Sequence, residues 1–401
     1  MLSFEDFKKI VKRTSTKIVL LVVDGLGGLP HANTGKTELE TARTPNLDRL
    51  AHEGLCGLID PVSPGITPGS APGHLALFGY DPLQFCIGRG VLEALGIGFE
   101  LRPGDLAARG NFCTVDEQGL VADRRAGRIP QEKCVELCQK LSQVKLPGVE
   151  LFALPVREHR FALVLRGDNL SSDLPDTDPQ ATGLPPRELI PLSSQAEPTA
   201  KLMNKFLTQA REILASSRPA NMVLLRGFST LPHLPSMSEV FKLDPAAIAA
   251  YPMYRGLAKL VGMKVLETGS SIAEEFETLA RHYEEHDYFY LHVKGTDSAG
   301  EDGDFERKVR IIEEVDALIP KVLSLNPDVL LVTGDHSTPA VLKGHSWHPV
   351  PFLLYSPWCF PDEVSEFSER ACLKGRLGRF SAIHIMPLAL ANALKLNKFG
   401  A

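Results

Sequence analysis

Residues 332–355 read VTGDHSTPAVLKGHSWHPVPFLLY, a stretch that combines the end of a strand with a group of candidate ligands. The apolar run Asp328–Thr333 that leads into it predicts a buried strand. Asp335 and His336 follow at once, and His345 comes before a second apolar run begins. Carboxylate and imidazole groups at the end of a parallel strand suit a divalent-cation site, although Asp-His pairs also occur in solvated loops.

Length, charge and cysteine content limit the class of protein. The chain has 401 residues, more than the roughly 250–300 that one hydrophobic core serves, so two domains are expected. The formal net charge of −6 argues against a nucleic-acid partner, and no apolar run is long enough to span a membrane. The N-terminus lacks the apolar core of a secretory leader, and the odd number of scattered cysteines favours reduced thiols. A cytoplasmic protein is expected.

The apolar run Lys17–Asp24 (KIVLLVVD) predicts a central parallel strand that ends at an acid. The glycine-rich GLGGLP that follows has Pro30 where a dinucleotide-binding loop needs its third glycine. The same proline excludes a phosphate-binding loop ending in GKT. Asp24 is therefore either a ligand at the carboxyl end of a strand or an acid that caps a turn.

Ser70 lies in the glycine- and proline-rich stretch TPGSAPGH, just before an apolar run that predicts a helix. The N–H groups and dipole at a helix N-terminus attract a phosphoryl group, so Ser70 is a candidate site residue. The alternative is a serine that merely caps the helix. The spacing differs from the G-x-S-x-G pattern of serine hydrolases.

Residues 99–238 have the short strands and turn residues of an α+β insert, and residues 171–198 predict a long exposed loop. Arginines are concentrated near its start, at Arg102, Arg109, Arg124, Arg125 and Arg128. Arginine forks match carboxylate and phosphate oxygens, although a solvated hairpin would also explain any one of them. Arg226 and His233, at the far end of the insert, are further candidates.

The alternating α/β pattern returns near residue 240, with a strand at Tyr288–Val293 and a helix at Phe305–Leu323. Between them the segment KGTDSAGEDGD predicts an acid-rich loop that contains Lys294, Asp297 and Glu301. The spacing of its acids does not match a calcium-binding EF-hand.

These segments together supply one set of candidate ligands, most of which follow a predicted strand. The set is Asp24, Ser70, Asp297, Glu301, Asp335, His336 and His345. Many oxygen ligands and few sulfurs suit two cations better than a closed structural zinc. Two cations about 3.5–4 Å apart can clamp a phosphoryl group.

Four motifs in order, VVDG, TPGSAPGH, KGTDSAGEDGD and TGDHSTPAVLKGHSWHPVPF, resemble the alkaline phosphatase superfamily. Within it the chain is similar to the archaeal-type, cofactor-independent (2,3-bisphosphoglycerate-independent) phosphoglycerate mutases, and GRGVLEALGIG and RGNFCTVD extend the resemblance into the insert. The resemblance implies an α/β fold. Its three-layer core, with a mostly parallel sheet, would comprise residues 1–98 and 239–401, and a smaller α+β cap would comprise residues 99–238.

The resemblance also implies two metal sites beside a phosphoryl-accepting Ser70. One cation would be held by Asp24, Ser70, Asp335 and His336, and the other by Asp297, Glu301 and His345. The superfamily usually has histidine where this chain has Glu301, and this difference could shift the metal preference toward harder ions. Manganese is the expected cation, with magnesium, cobalt and zinc as alternatives, and no organic cofactor is expected.

In the insert, the resemblance implies that Arg109, Arg124 and Arg128 bind phosphoglycerate, with Asp123 as an acid/base. Arg226 and Lys294 are further substrate-binding candidates. In the implied reaction, a glycolytic and gluconeogenic step, Ser70 takes the phosphoryl group of 3-phosphoglycerate. The enclosed glycerate then reorients and receives it on its other hydroxyl, as 2-phosphoglycerate. The alternatives are a metal-dependent phosphatase, another phosphomutase, or a non-catalytic binding protein on the same scaffold.

Overall fold

The computed structural model describes residues 3–85, 87–232 and 234–400. The chain divides into two compact units, one formed by Met1–Cys86 with Leu234–Ala401 and the other by Ile87–His233. The domains expected from the sequence begin and end at slightly different residues, with boundaries at 98/99 and 238/239.

The strands, in chain order, are β1 (Ile18–Val23), β2 (Leu55–Asp60), β3 (Leu106–Val115), β4 (Val121–Asp123), β5 (Val149–Arg157), β6 (Arg160–Gly167), β7 (Met222–Thr230), β8 (Pro245–Ile248), β9 (Lys264–Val265), β10 (Tyr288–Val293), β11 (Val329–Thr333), β12 (Val350–Tyr355) and β13 (Gly378–Ser381). The helices are α1 (Phe4–Ile10), α2 (Glu38–Thr41), α3 (Pro45–Glu53), α4 (Ser70–Leu77), α5 (Arg89–Gly96), α6 (Gln131–Leu141), α7 (Glu197–Leu214), α8 (Met237–Phe241), α9 (Pro252–Leu260), α10 (Ile272–His282), α11 (Gly295–Asp302), α12 (Phe305–Leu323), α13 (Glu369–Cys372) and α14 (Ile385–Asn392).

The first unit contains a large sheet with strand order β13-β2-β12-β11-β1-β10-β8-β9. All neighbouring pairs are parallel except the two that involve β12. The central strands β11, β1 and β10 are buried along their whole length, as their largely apolar sequences predict. Because they are parallel neighbours, their carboxyl ends lie side by side at one edge of the sheet. The predicted fold class, an α/β core with a mostly parallel sheet, is confirmed.

Helix α12 covers the core with the predicted apolar stripe, in which Val309, Ile312, Val315 and Ile319 are buried. The segment before it differs from the prediction. Its glycines, serine and acids predict a loop, but Gly295–Asp302 forms helix α11. The helix ends at Gly303, whose φ of +74° is a conformation that glycine adopts without strain. The helical spacing places the residues at 297 and 301 on the same face of α11.

The second unit contains an antiparallel sheet in which β3 pairs with β4, β6 and β7, and β6 pairs with β5. Alternate residues of β3 and β6 enter two different cores. One core contains residues of α6 and α7, and the other contains Val91 and Ala94 of α5. Helix α5 therefore packs within the second unit, which explains why this unit begins before residue 99.

Residues 171–198 are irregular up to Ser193, as predicted, but they are exposed only in part, for example at residues 180–185. Leu174, Thr177, Asp178 and Leu189 are buried within this stretch. Among the described residues, none of the helices is both long enough and apolar enough to cross a membrane.

Candidate active site

The ends of the three central strands bring the predicted ligands together. Asp24 directly follows β1, Asp335 and His336 follow β11, and Asp297 lies in the first turn of α11 beyond β10. Each of these side chains is buried, with at most 1% of the residue exposed. Polar groups at this edge are expected, since the carboxyl ends of parallel strands form the binding edge of an open α/β sheet.

Asp24, Asp335 and His336 form one group, with ligand atoms within 4.8 Å of one another. The Nε2 atom of His336 lies 3.4 Å from Asp24 Oδ1 and 3.2 Å from Asp335 Oδ2. Ser70 Oγ is 3.2 Å from the same His336 Nε2. The serine hydroxyl therefore lies beside a compact set of carboxylate and imidazole groups.

Asp297, His336 and His345 form a second group within the same 4.8 Å limit. His345 Nε2 lies 3.4 Å from Asp297 Oδ1, and the rings of His336 and His345 stack with their centroids 3.7 Å apart. Glu301 lies at the rim of this group. Its side chain is 56% exposed, and its Oε1 atom is 3.8 Å from His345 Nε2.

The two groups fit divalent cations on the basis of charge and hydrogen bonding. In the described residues, the buried atoms Asp24 Oδ1 and Asp335 Oδ2 accept no hydrogen bond. Burial and the neighbouring Asp24 carboxylate raise the pKa of Asp335 to about 7. The Asp335 carboxylate therefore lacks compensating positive charge, and a cation would supply both that charge and the missing partners of Asp24 Oδ1 and Asp335 Oδ2.

Two glycines allow the ligand segments to approach closely. A Cβ atom on Gly73 would lie 2.2 Å from the carbonyl oxygen of Asp335, so only glycine lets α4 pack against that loop. Gly25 has φ of +66°, and a Cβ there would lie 2.9 Å from Asp297 Cα. These contacts hold the serine helix and the three strand ends together.

A further layer of polar side chains holds the candidate ligands, and the sequence reasoning missed most of it. Thr338 Oγ1 donates a hydrogen bond to Asp297 Oδ1 at 2.7 Å and lies 2.9 Å from His336 Nδ1. It therefore links a residue of the second group to the histidine shared by both. His292 Nε2 lies 3.1 Å from Asp24 Oδ2. A histidine inside the otherwise apolar strand YFYLHV was a signal that could have found it.

Lys294 was predicted to bind substrate, and its ammonium group lies against the acids of the site. Its Nζ atom is 3.2 Å from Asp24 Oδ2, 3.1 Å from the Tyr254 hydroxyl, and in contact with Asp297. Burial alone would lower the pKa of Lys294, but Asp24 and Asp297 raise it above its usual value. The lysine is therefore cationic.

The predicted arginines lie in the second unit. Arg124 forms two hydrogen bonds with Asp178, Arg226 lies 3.5 Å from the same carboxylate, and Arg109 lies 3.5 Å from Glu93.

The other predicted residues of this unit belong to one turn. Asp123 accepts hydrogen bonds from the backbone N–H groups of Arg125 and Gly127, so its carboxylate caps this turn. Arg128 is exposed, and the remaining candidate, His233, lies outside the described residues.

A serine at a helix N-terminus beside two groups of side chains that could hold cations is an arrangement suited to metal-dependent phosphoryl transfer. The family model for 2,3-bisphosphoglycerate-independent phosphoglycerate mutase matches residues 51–221. A Thermus thermophilus protein named "Probable 2,3-bisphosphoglycerate-independent phosphoglycerate mutase" is 51% identical over 403 residues, covering 99% of each chain. The chain belongs to this family of isomerases, whose members are metal-dependent.

One solved structure supports this assignment, and a second shares the fold. A cofactor-independent phosphoglycerate mutase from Thermoplasma acidophilum is 33% identical and superposes with a TM-score of 0.73, covering 94% of this chain and 100% of that one. A protein from Pyrococcus horikoshii is 29% identical with a TM-score of 0.83, covering 96% and 99%.

Proposed function

We propose that Ser70 carries the phosphoryl group while 3-phosphoglycerate is converted to 2-phosphoglycerate. The observation that supports this most directly is the position of its Oγ atom, 3.2 Å from His336 Nε2 in the first candidate metal group. Ser70 also begins α4, and the first N–H groups of a helix have no intrahelical partner and attract anions.

The reaction consists of two displacements at phosphorus. Ser70 Oγ attacks the phosphoryl group in line, and the bond between phosphorus and O3 of the substrate breaks as the bond to serine forms. The retained glycerate turns, its O2 atom attacks the phosphoserine, and Ser70 regains its hydroxyl. Divalent cations bound at the two groups supply positive charge to the phosphoryl oxygens and lower the pKa of the serine hydroxyl.

We propose that Asp24, Ser70, Asp335 and His336 hold one cation and that Asp297, Glu301 and His345 hold the other. The two compact groups of carboxylate and imidazole atoms support this division. His336 belongs to both groups, so its imidazole could serve as a ligand in either of them. The oxygen-rich set favours manganese, with magnesium, cobalt and zinc as alternatives.

The positive side chains are proposed to bind the anionic substrate. Lys294 is cationic and lies beside the carboxylates of the site, which suits a role in binding the phosphoryl group. Arg109, Arg124, Arg128 and Arg226 are proposed to bind the substrate carboxylate and phosphate. Asp123 is proposed as an acid/base near the substrate hydroxyls. The unpaired thiols of the described cysteines support the proposal of a cytoplasmic enzyme.

The test is an assay of 2-phosphoglycerate formation from 3-phosphoglycerate without added bisphosphoglycerate. The wild type with manganese should form product and release little free phosphate, whereas a chelator should stop both reactions. Ser70→Ala should lose product formation while it keeps the fold and most cation binding. Near-normal turnover by Ser70→Ala would exclude Ser70 as the nucleophile, and free phosphate as the main product would indicate a phosphatase.

A further inference from the structure

The irregular stretch between β6 and α7 forms hydrogen bonds with β7, the strand that contains the candidate substrate-binding residue Arg226. Thr177 N donates to Leu225 O at 2.9 Å, and Leu225 N donates to Thr177 Oγ1 at 2.7 Å. Asp176 Oδ1 accepts from Gly227 N at 2.8 Å. Residues 176–178 therefore lie along β7 on either side of Arg226. This explains why Thr177 and Asp178 are buried although the segment forms no regular element.

Asp178, the last residue of this segment, has a fully buried carboxylate that contacts two arginines. Arg124 donates to it through Nε at 2.9 Å and through Nη2 at 2.7 Å, and Arg226 Nη1 lies 3.5 Å from Oδ2. Gln180 N donates to Oδ1 at 2.8 Å. The carboxylate thus joins residues from three separate parts of the chain.

The two arginine side chains are partly exposed to solvent, whereas the carboxylate that they contact is buried. The side chain of Asp178 is 0% exposed, whereas those of Arg124 and Arg226 are 31% and 30% exposed. Arg124 uses one edge of its planar guanidinium on Asp178, so its other edge faces away from that carboxylate. In the sheet, Arg226 is the register partner of Arg109 across β3 and β7. The buried carboxylate of Asp178 therefore fixes the direction of the Arg124 guanidinium. It holds the Arg226 guanidinium together with Asp176, whose Oδ2 atom accepts a hydrogen bond from Arg226 Nε at 3.4 Å.

We propose that Asp178 is a positioning residue for substrate binding, because it orients Arg124 and Arg226 so that their remaining N–H donors are directed at an anionic ligand. This inference rests on the proposed role of the arginines in binding phosphoglycerate. An arginine side chain that a buried carboxylate already holds through two hydrogen bonds loses little conformational entropy when a second anion binds. This preorganisation should therefore make the anionic substrate bind more tightly.

The chain provides a matched control in the same unit. Asp105 is also buried, at 1% exposed, and Arg166 donates to it through Nε at 3.0 Å and Nη2 at 2.7 Å. The Arg166 guanidinium packs against the rings of Phe99 and Phe152, whose centroids are 5.6 and 5.3 Å away, so its role is structural. Asp105→Asn and Asp178→Asn therefore remove similar buried ion pairs, and a purely structural role predicts similar effects on function.

The experiment compares KM and kcat for 3-phosphoglycerate, together with thermal unfolding, in the wild type, Asp178→Asn and Asp105→Asn. Asp178→Asn should raise KM about tenfold, since charge-assisted bonds of this kind are among the stronger polar contacts. Asp105→Asn should lower the unfolding temperature by a similar amount and leave KM within about twofold of the wild type. A KM for Asp178→Asn within twofold of the wild type, or equal rises in both variants, would overturn the proposal.

A double variant tests whether Asp178 acts through Arg124. If it does, Asp178→Asn should raise KM less in the Arg124→Ala background than in the wild type, because only Arg226 then remains to be oriented. Fully additive effects would contradict the proposal. If Asp178→Asn does not fold, Thr177→Val replaces it, because it loosens the segment while leaving every charge in place. Its KM should rise about threefold, and an unchanged KM would overturn the inference.

Failure of the proposed function can be told apart from failure of this inference. If the wild type forms no 2-phosphoglycerate, the proposed function fails. Calorimetric titration with 3-phosphoglycerate then decides the role of Asp178 without turnover. Weaker binding by Asp178→Asn than by Asp105→Asn supports the inference, and equal binding overturns it.

Discussion

Replacing Thr338 with valine perturbs the contact that links the two candidate metal groups. Thr338 is fully buried, and its hydroxyl donates to Asp297 Oδ1 at 2.7 Å and lies 2.9 Å from His336 Nδ1. Valine has nearly the same shape but neither donates nor accepts a hydrogen bond. The variant therefore leaves one carboxylate oxygen and one imidazole nitrogen without this partner in a buried site.

The expected losses of stability and of cation affinity follow from those two lost contacts. Each buried polar group left without a partner costs about 1–3 kcal/mol, with charged groups near the upper end. Two such groups predict that the free energy of unfolding of the cation-free protein falls by about 2–6 kcal/mol. Cation affinity should fall about 10- to 100-fold, the usual effect of removing an outer hydrogen-bond partner of a metal ligand.

Urea unfolding of the cation-free protein and calorimetric titration with manganese measure the two quantities. Thr333→Val is the matched control, because the fully buried Thr333 hydroxyl donates to Pro351 O at 2.8 Å rather than to a candidate ligand. It should lose about 1–2 kcal/mol of stability and keep its manganese affinity within about twofold. Thr338→Ser should also keep its affinity. A Thr338→Val protein that binds manganese as tightly as the wild type would refute the reasoning.

Three further variants test other parts of the structure. Burial raises the pKa of Glu275 to about 8, above its usual value of 4.5, so the unfolded chain loses this proton first as pH rises. The free energy of unfolding should therefore fall on the order of 2 kcal/mol from pH 6 to 8, and urea titrations of Glu275→Gln should show a smaller decline. Lys308→Met removes a fully buried ammonium that donates to two backbone carbonyl groups at 2.9 Å. Chemical denaturation should show a loss of about 3 kcal/mol, against less than about 0.5 kcal/mol for the exposed Lys321→Met on the same helix, and equal losses would contradict this. Glu301→Ala should weaken one of two manganese-binding steps about tenfold, and two unchanged steps in calorimetry would remove Glu301 from the ligand set.

The strands that carry the site could be predicted because each is a largely apolar run with a polar residue just beyond its end. This pattern located Asp24 and Asp335 without any knowledge of the fold. Parallel pairing of β1 with β10 and β11 then brings the ends of these strands together. The sequence predicts this long-range arrangement only through its alternation of strands and helices.

Other features depended on tertiary contacts that local patterns do not encode. Helix α11 has the composition of a loop. A Cβ atom on Gly300 would lie 2.2 Å from the Thr338 carbonyl oxygen, so the packing of this helix requires glycine at that position. Asp178 lies in a proline-rich stretch whose apolar residues show no helix or strand periodicity. Its partners Arg124 and Arg226 are 54 and 48 positions away in the chain. No spacing rule could have connected them.

The central claim is that the phosphoryl group is carried on Ser70. Acid quenching of the manganese-loaded protein during turnover of 3-phosphoglycerate, followed by mass spectrometry of its peptides, tests this most directly. The account predicts that the peptide containing Ser70 gains one phosphoryl group and that prior chelation of the metal prevents this. Phosphorylation of a different residue, or an unmodified Ser70 peptide in rapidly turning-over enzyme, would contradict the account.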